Sequence, residues 1–231
     1  MNDLKIVALI PALNEAKTLG SLILEIQRWL PDVIVVDDGS TDQTSEISIE
    51  SGAHVISHSK NCGKGMALRS GFLYLLEKGY GGCVVIDGDG QHSPQDLPVF
   101  LNAAKDPQVG VIVGNRMGET SSMPFIRRLT NRLMSFILSR LLQEEIPDTQ
   151  CGFKFIRSDL LRVLDLKASK YEIESEMLIE AKRHGFRIVS VPVRTIYRDW
   201  KSSIQPLRDT YLFLKLLTVR RKDLRHEKKG P

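Results

Sequence analysis

The chain has 231 residues, of which 42% are hydrophobic and 26% charged, an ordinary composition for one large soluble domain with a buried core. No apolar run approaches the ~18–20 residues of a membrane span, and residues 1–5 lack the pattern of a signal peptide. Cys62, Cys83 and Cys151 are widely spaced and form no C-x-x-C pair. They predict reduced thiols in a cytoplasmic protein rather than a disulfide framework or a zinc site.

The net charge of +4 comes from 32 Lys and Arg against 28 Asp and Glu. Residues 220–229 hold six basic and two acidic side chains, so this segment alone accounts for the excess. The neutral remainder excludes a nucleic-acid-binding face spread over the domain. A basic end attracts anionic lipid at ~1 kcal/mol per Lys or Arg, and a solvated, frayed terminus explains it equally well.

Apolar strands and amphipathic helices alternate through the first half of the chain. Strands are predicted at 5–10, 33–36, 53–57, 82–87 and 109–114. Helices are predicted at 18–29 and 64–78, with a further helix capped by Ser40 or Thr41 and running through Ile47. This alternation predicts an α/β fold, with a mostly parallel central sheet and helices on both faces. Ligands of such sheets bind beyond the carboxyl ends of the strands.

The second half is less regular. Residues 124–142 predict a basic amphipathic helix, and residues 153–156 and 188–193 predict two late strands. A strongly apolar helix is predicted at 207–219, before the basic tail at 220–231. With no internal linker, residues 1–219 are predicted to form one domain. The pattern of the 124–142 helix slightly favours packing on the core with solvated arginines; a surface for lipid headgroups and an apolar chain is the alternative.

The run DGDGQH at residues 87–92 follows a buried strand and places two carboxylates two residues apart. Strand alternation would put Asp87 and Asp89 on the same side of the chain, where they repel each other unless a cation or strong donors lie between them. Oxygen ligands at the open end of a strand suit Mg²⁺ or Mn²⁺, and such an ion can hold a diphosphate. A solvated turn would be the better interpretation of an isolated run; polar groups after the other strands favour a site here.

Four more segments carry polar groups with competing interpretations. The run PALNE at 11–15 can bind a base or ribose, or simply begin a helix. VVDDGSTD at 35–42 offers an Asp to a ribose or base, or forms a capped turn. NCGKG at 61–65 favours phosphate through its glycines and Lys64, although it is not a Walker A loop. Arg116 can grip a phosphate or form a surface salt bridge.

Together these runs resemble the family 2 glycosyltransferases, which have a GT-A nucleotide-diphospho-sugar transferase fold. PALNE, VVDDGSTD and DGDGQH stand in that family's order and spacing, and the resemblance covers most of the chain. DTQCGFK at 148–154 and IVSVPV at 188–193 resemble the branch of the family that transfers mannose or glucose to dolichyl or polyprenyl phosphate.

The resemblance implies a role for each matching position. Asp148 and Asp89 would be catalytic, and Asp89 with Gln91 would ligate Mg²⁺ or Mn²⁺. The nucleotide sugar would contact Pro11, Leu13, Glu15, Val36, Asp38, Lys64, Asp87, Gly88, Asp89 and Arg116. Contacts with the acceptor or its phosphate are assigned to Arg128, Lys154, Glu176, Arg198 and Lys201, with Glu174 near the donor sugar or acceptor. Leu13 stands where the family usually has an aromatic residue, and residues 197–203 depart from its late loop.

The implied reaction transfers a hexose from a nucleotide-diphospho-sugar, of the GDP-mannose or UDP-glucose type, to a polyprenyl or dolichyl phosphate with inversion. Such a phosphate, with a second pKa of ~6, is largely ionised, so Asp148 would orient it rather than remove a proton. A hydroxyl acceptor on a glycan or soluble compound is the alternative, and it would need Asp148 as a base.

We expect a peripheral enzyme on the cytoplasmic face of a membrane, held there by helix 124–142, the tail or a membrane partner protein. A sugar-1-phosphate nucleotidyltransferase is less favoured, since no Gly-rich phosphate loop follows the first strand. A non-catalytic nucleotide-sugar binder is less favoured still, because Asp87 and Asp89 are both present.

Overall fold

A computed structural model describes residues 4–118, 123, 125–168 and 172–196 of the chain. The strands are β1 (Ile6–Ala12), β2 (Val33–Asp37), β3 (His54–Ser57), β4 (Gly82–Val85), β5 (Val109–Asn115), β6 (Lys154–Arg157) and β7 (Arg187–Pro192). The helices are α1 (Ala16–Ile26), α2 (Thr44–Glu50), α3 (Lys64–Glu77), α4 (Leu97–Ala103), α5 (Phe125–Leu142), α6 (Ser158–Leu161) and α7 (Ile173–Arg183), with a 3-10 turn at Pro94–Asp96 before α4.

The seven strands form one sheet in the order β3-β2-β1-β4-β6-β5-β7. β6 runs antiparallel to its neighbours β4 and β5, and the other pairs are parallel. Because the chain moves outward from β1 to β3 and then crosses back to β4, right-handed crossovers place α1 and α2 on one face and α3 on the other. The predicted α/β class with a mostly parallel sheet is confirmed.

The central strands are buried on both faces, which explains why they are continuous apolar runs rather than alternating ones. Leu9, Val35 and Val84 are each fully buried. α3 lies close against β1, since a Cβ atom added at Gly71 would stand 2.3 Å from Leu9 Cδ1. A glycine is therefore required for this approach, and the approach fixes the start of α3, where Lys64 lies.

Two predicted boundaries are wrong in ways that affect the site. β4 ends at Val85, so strand alternation does not reach Asp87 and Asp89, which stand on the turn that follows. Ser40 and Thr41 do not cap α2, because that helix begins at Thr44. Instead the Asp42 carboxylate accepts the Thr44 N–H at 3.1 Å.

The sequence analysis did not predict α4, α6 or α7. α4 and α6 are short, with seven and four residues. α7 buries Glu174, Glu176 and Glu180, so acidic side chains interrupt the apolar period that would have marked it as a helix. The predicted helix 207–219, the tail 220–231, Arg198 and Lys201 lie outside the described residues.

Candidate active site

Three carboxylates face one another beyond the carboxyl ends of β1 and β4. Glu15 follows β1, and Asp87 and Asp89 follow β4. The turn is held to α1 by Thr18, whose hydroxyl donates to the Gly88 carbonyl at 2.8 Å. Burial, and then the negative charges of Asp89 and Asp87, raise the pKa of Glu15 to about 7. A group of carboxylates that repel one another in this way forms a favourable site for a cation.

Asp87 begins a row of alternating charges that crosses to the other half of the sheet. Lys64 Nζ lies 2.7 Å from Asp87 Oδ1 and 2.8 Å from Glu174 Oε1. Glu174 also accepts a hydrogen bond from Lys154, which donates in turn to the Cys151 carbonyl. Burial opposes charge on Asp87, but Lys64 holds the pKa of that carboxyl below its usual value. We call Asp87, Lys64, Glu174 and Lys154 the charge row.

A close backbone approach joins the DTQCGFK loop to the DGDGQH turn. A Cβ atom added at Gly152 would stand 2.0 Å from Asp87 Oδ2, so any side chain there would displace the carboxylate. His92, 3% exposed, lies beside this contact with its ring centroid 5.5 Å from that of Phe153. Burial lowers the pKa of His92 to about 4, so its imidazole is neutral at neutral pH.

The adjacent aspartates after β2 hold two different loops. Asp37 accepts the Ser40 N–H at 2.9 Å and so closes the turn before α2. Asp38 accepts the N–H groups of Cys62 at 3.0 Å and Gly63 at 2.7 Å, so it fixes the NCGKG loop that leads into α3. This anchoring brings Lys64, the first residue of α3, to the charge row. The interpretation of this run as a capped turn is met by Asp37 and Asp42, which leaves Asp38 to hold the NCGKG loop.

Arg116 and Asp148 form a buried pair beneath the DTQCGFK loop, at 4% and 0% exposure. Arg116 donates from Nε at 2.7 Å, from Nη2 at 2.9 Å and from its backbone N–H at 3.1 Å. Asn131 of α5 donates a fourth bond to Asp148 at 2.7 Å. Burial would raise the pKa of Asp148, but these donors, Arg116 above all, lower it. The Asp148 carboxylate is therefore ionised and saturated with donors.

The remaining predicted site residues divide into exposed and buried sets. Pro11 is half-buried and Leu13 is 36% exposed at the open end of β1. The Val36 side chain is fully buried in the core. Lys154 and Glu176 are each 1% exposed, which favours positioning roles over direct contact with an acceptor. Glu176 accepts the N–H groups of residues 167 and 168, at 2.9 and 2.8 Å.

Gln91 lies half-buried next to Asp89, to which its backbone N–H donates at 2.9 Å. The turn thus holds the two proposed metal ligands side by side. Sequence reasoning missed Asn131, which donates to Asp148, and His58, whose Nδ1 atom lies 2.7 Å from Asp38 Oδ1. Two signals could have identified them: a polar residue on the core-facing side of α5, and an imidazole directly after β3.

α5 presents apolar side chains on two faces. Its inner face is buried through Met134, Leu138 and Leu142. Its outer face exposes, at 51–67% each, Phe125, Ile126, Leu129, Leu133 and Phe136. The favoured interpretation, packing on the core, therefore holds for the inner face and is wrong for the outer one. Arg128 and Arg140 lie over aromatic rings of this helix, 5.6 and 5.8 Å from the ring centroids. In the part of the chain that the structure describes, no helix has the length and apolar character needed to cross a membrane.

Comparison with known proteins agrees with this geometry. Residues 7–164 match the family model described as Glycosyl transferase family 2. The UDP-N-acetylglucosamine–dolichyl-phosphate N-acetylglucosaminyltransferase of Methanococcus voltae is 32% identical over 223 residues, covering 87% of this chain and 89% of that one. The undecaprenyl-phosphate mannosyltransferase of Micrococcus luteus is 30% identical over 209 residues, covering 85% of each.

The fold also matches a solved structure. Glucosyl-3-phosphoglycerate synthase from Mycobacterium tuberculosis, in complex with Mn²⁺ and UDP-glucose, has a TM-score of 0.72 to this chain at 24% identity. The match covers 93% of this chain and 78% of the other, and it confirms the predicted GT-A fold. With the family match over residues 7–164, these findings show that the chain belongs to glycosyl transferase family 2 and is a glycosyltransferase.

Proposed function

We propose that this glycosyltransferase transfers a hexose from a nucleotide-diphospho-sugar to a polyprenyl phosphate, with inversion at the anomeric carbon. The observation that carries the proposal is the state of Asp148. This carboxylate, on the side of the site that we assign to the acceptor, is ionised, fully buried and bound by four donors. The curated relatives named above, which act on dolichyl and undecaprenyl phosphates, support the same acceptor class.

A general base must accept a proton from the acceptor, and Asp148 is poorly suited to that task. Its oxygens are occupied by Arg116 and Asn131, and its pKa lies below the ordinary range. A hydroxyl acceptor would need such a base, whereas a phosphate with a second pKa of ~6 is already largely ionised. Asp148 and Arg116 would instead hold the DTQCGFK loop in place beside the acceptor phosphate. The hydroxyl acceptor remains the second candidate and is tested below.

The donor side fits a divalent cation. Burial, together with the negative charges of Asp89 and Asp87, raises the pKa of Glu15 to about 7, and hard oxygen ligands suit Mg²⁺ or Mn²⁺. Asp89 would hold the ion with Gln91, its neighbour on the turn. A solved structure with this fold contains Mn²⁺ together with UDP-glucose. A cation bound there would neutralise charge developing on the leaving diphosphate.

The chain's own residues would position the donor. Asp38 would accept a hydrogen bond from the base or ribose, with Pro11 and Leu13 nearby at the open end of β1. Lys64 would add positive charge beside the diphosphate, while the NCGKG loop holds the start of α3 in place. Gly152 would bring the DTQCGFK loop against Asp87, so the donor and the acceptor would lie next to each other at that contact.

The outer face of α5 supports a peripheral location at a membrane surface, which we propose to be the cytoplasmic one. Five large apolar side chains are exposed along one helix, and Arg128, Arg132 and Arg140 lie among them. Apolar side chains can enter the boundary between headgroups and acyl chains, while arginines remain with anionic headgroups. The inner face of the same helix holds Asp148 through Asn131. A membrane under α5 would thus bring the lipid phosphate to the acceptor side.

The test is release of GDP or UDP from a panel of nucleotide sugars, with Mg²⁺ or Mn²⁺, with and without a short polyprenyl phosphate. We expect release from one donor, stimulated by the lipid. Asp89→Asn should lower turnover by about 10²–10³-fold, the loss typical when one preorganised electrostatic contact is removed. Asp159→Asn, on an exposed residue of α6, is the matched control and should be unchanged.

The other outcomes are equally informative. Release that ignores the lipid but rises with a soluble hydroxyl compound would replace the phosphate acceptor by the second candidate. Full activity of Asp89→Asn would remove the metal assignment. No release from any donor, with either ion and with the lipid present, would contradict the proposed reaction as a whole.

A further inference from the structure

Asp38, His58 and Cys62 bring three kinds of metal ligand together at the nucleotide end of the sheet. They come from three segments: the end of β2, the residue after β3, and the loop before α3. One carboxylate oxygen, one ring nitrogen and the sulfur lie within 4.8 Å of one another. We propose that these residues form a regulatory site for a thiophilic divalent cation such as Zn²⁺, separate from the Asp89 and Gln91 site.

The distances require only a small contraction. Tetrahedral zinc, with bonds of about 2.0–2.3 Å, places its ligand atoms about 3.3–3.5 Å apart. Asp38 Oδ1 and His58 Nδ1 already lie 2.7 Å apart, so they would separate slightly as the Cys62 sulfur moves in. Cys62 is exposed, and its thiol donates to the Lys60 carbonyl at 3.3 Å, a weak bond that coordination would replace. A fourth position would remain open for water, as in zinc sites with three protein ligands.

The backbone that carries these ligands is held in place. Asp38 accepts the N–H groups of Cys62 and Gly63, which ties the loop to β2. Gly39 has a φ of +77°, and a Cβ atom added there would stand 2.4 Å from the backbone of Lys60. The two segments are therefore in direct backbone contact. Ligands on a fixed backbone need less ordering on binding, which favours a metal.

His58 also has the outer partner that ligating histidines usually have. Its Nε2 atom lies 2.9 Å from the Ser70 hydroxyl oxygen, which can donate or accept. When the ion binds Nδ1, a neutral imidazole keeps its single proton on Nε2, where it donates to Ser70, and the Cys62 thiol releases its proton. Each ligand then presents a lone pair to the metal, and one proton is released to solvent; a protonated imidazole would release a second.

The donor set selects the class of ion. A thiolate and an imidazole favour Zn²⁺ or Co²⁺ over Mg²⁺, whereas Asp89 and Gln91 offer only oxygen. Cys83 and Cys151 do not compete, because both are fully buried and burial raises the pKa of each thiol. Cys62 is thus the thiol of this chain that a metal in solution can reach.

Occupation of this site would affect the enzyme through Asp38. This consequence rests on the proposed function, in which Asp38 meets the base or ribose of the donor. A metal that takes Asp38 Oδ1 as a ligand removes that acceptor and places positive charge where a base N–H or hydroxyl would donate. Zn²⁺ should therefore compete with the nucleotide sugar and raise its apparent KM.

Co²⁺ titration of the chelator-treated, tag-free full chain tests the site directly, because a Co²⁺–thiolate bond gives its own charge-transfer absorption. We expect that band in the wild type. Cys62→Ala should lose the band and weaken Co²⁺ binding at least about tenfold, because loss of a residue that only hydrogen-bonds a metal ligand already lowers metal affinity about 10–100-fold. Ser70→Ala should weaken binding by a smaller factor and keep the band. His184→Ala, on an exposed histidine outside the cluster, is the control and should match the wild type.

A wild type without the band at saturating Co²⁺, or a band that persists in Cys62→Ala, would overturn the site. The second readout is Zn²⁺ inhibition at saturating Mg²⁺, where we expect at least a tenfold rise in apparent donor KM that Cys62→Ala abolishes. Equal inhibition of both proteins would overturn the regulatory role. If the chain releases no nucleotide at all, the proposed function fails while the Co²⁺ result still decides the metal site.

Discussion

The proposed donor side and the proposed acceptor side of this site differ in how their charges are balanced. On the donor side, Glu15 stands near Asp87 and Asp89, and its pKa rises to about 7 because of burial and the negative charges of these neighbours. On the acceptor side, Arg116 and Asp148 neutralise each other in a bidentate pair with almost no exposure. The first region is arranged to receive a cation, whereas the second is already complete and holds a geometry.

Lys64 joins the two regions, because its ammonium contacts both Asp87 and Glu174. Asp87 belongs to the donor side, and Glu174 leads through Lys154 to the DTQCGFK loop. A cation or diphosphate that changes the charge around Asp87 would therefore also change the balance at Glu174. Removing a carboxylate charge should therefore destabilise the chain strongly on the acceptor side, and should leave it unchanged or slightly stabilised on the donor side.

The largest expected effect is that of Asp148→Asn on stability. The substitution keeps the shape but leaves the Arg116 guanidinium buried without its counter-charge. Breaking a buried pair from one side typically lowers the free energy of unfolding by about 3–5 kcal/mol. Urea unfolding of the metal-free chain measures this difference. Asp165→Asn, which breaks an exposed pair with Lys167, should change it by less than about 1 kcal/mol.

Asp89→Asn provides the matching measurement on the donor side. It removes one of the charges that raise the pKa of Glu15, so the metal-free chain should keep its stability or gain slightly. Similar losses in Asp89→Asn and Asp148→Asn would show that both regions depend on their charges for folding, and the comparison would then be wrong.

The sequence predicted the donor side better than the acceptor side. Strand ends in a parallel sheet meet at one edge, so the position of Glu15, Asp38 and Asp87 followed from apolar runs and their flanking residues. What the sequence did not contain was the partner of each charge. Lys64 was assigned to phosphate, but in the structure it lies between Asp87 and Glu174.

The acceptor side depends on contacts that are distant along the chain. Arg116 and Asp148 are 32 residues apart, and Asn131 reaches Asp148 from an intervening helix. α7 was missed because Glu174, Glu176 and Glu180 are buried on it. Glu174 and Glu176 are compensated by groups outside the helix, whereas Glu180 pairs with Arg183 one turn later. The same limit applies to α5, where the amphipathic pattern did not show which of the apolar side chains the core would cover.

The outer face of α5 provides a prediction of intermediate size. Leu133→Ser with Phe136→Ser removes two exposed apolar side chains without touching the inner face that holds Asp148. Burying such side chains is worth about 1.5–3 kcal/mol each when complete, so partial insertion of both should contribute at least tenfold in binding. Co-sedimentation with vesicles containing anionic lipid should show that loss.

Leu73→Ser, on a 71% exposed residue of α3, is the matched control and should bind vesicles as the wild type does. The wild type and Leu73→Ser should both bind neutral vesicles more weakly than anionic ones, because the arginines of α5 contribute about 1 kcal/mol each near an anionic surface. Equal binding of the double variant and the wild type would place the membrane contact elsewhere on the chain.

The smallest effect is the pH dependence that Glu15 contributes. Its pKa is raised from 4.5 to about 7 in the folded chain, so the folded state holds a proton that the unfolded state has lost in this range. Stability contributed by that proton is present below about pH 4.5 and is lost as the pH rises through about 7. Glu15→Gln does not lose stability in this way. Its free energy of unfolding should therefore exceed that of the metal-free wild type by about 1 kcal/mol at pH 8 and by much less at pH 5; the value allows for solvent screening of a half-buried group. Mn²⁺ should narrow the difference at pH 8, because a cation favours the ionised carboxylate. If the free energies of unfolding of the two metal-free proteins instead differ by the same amount from pH 5 to pH 8, the donor carboxylates do not raise the pKa of Glu15 as the comparison requires.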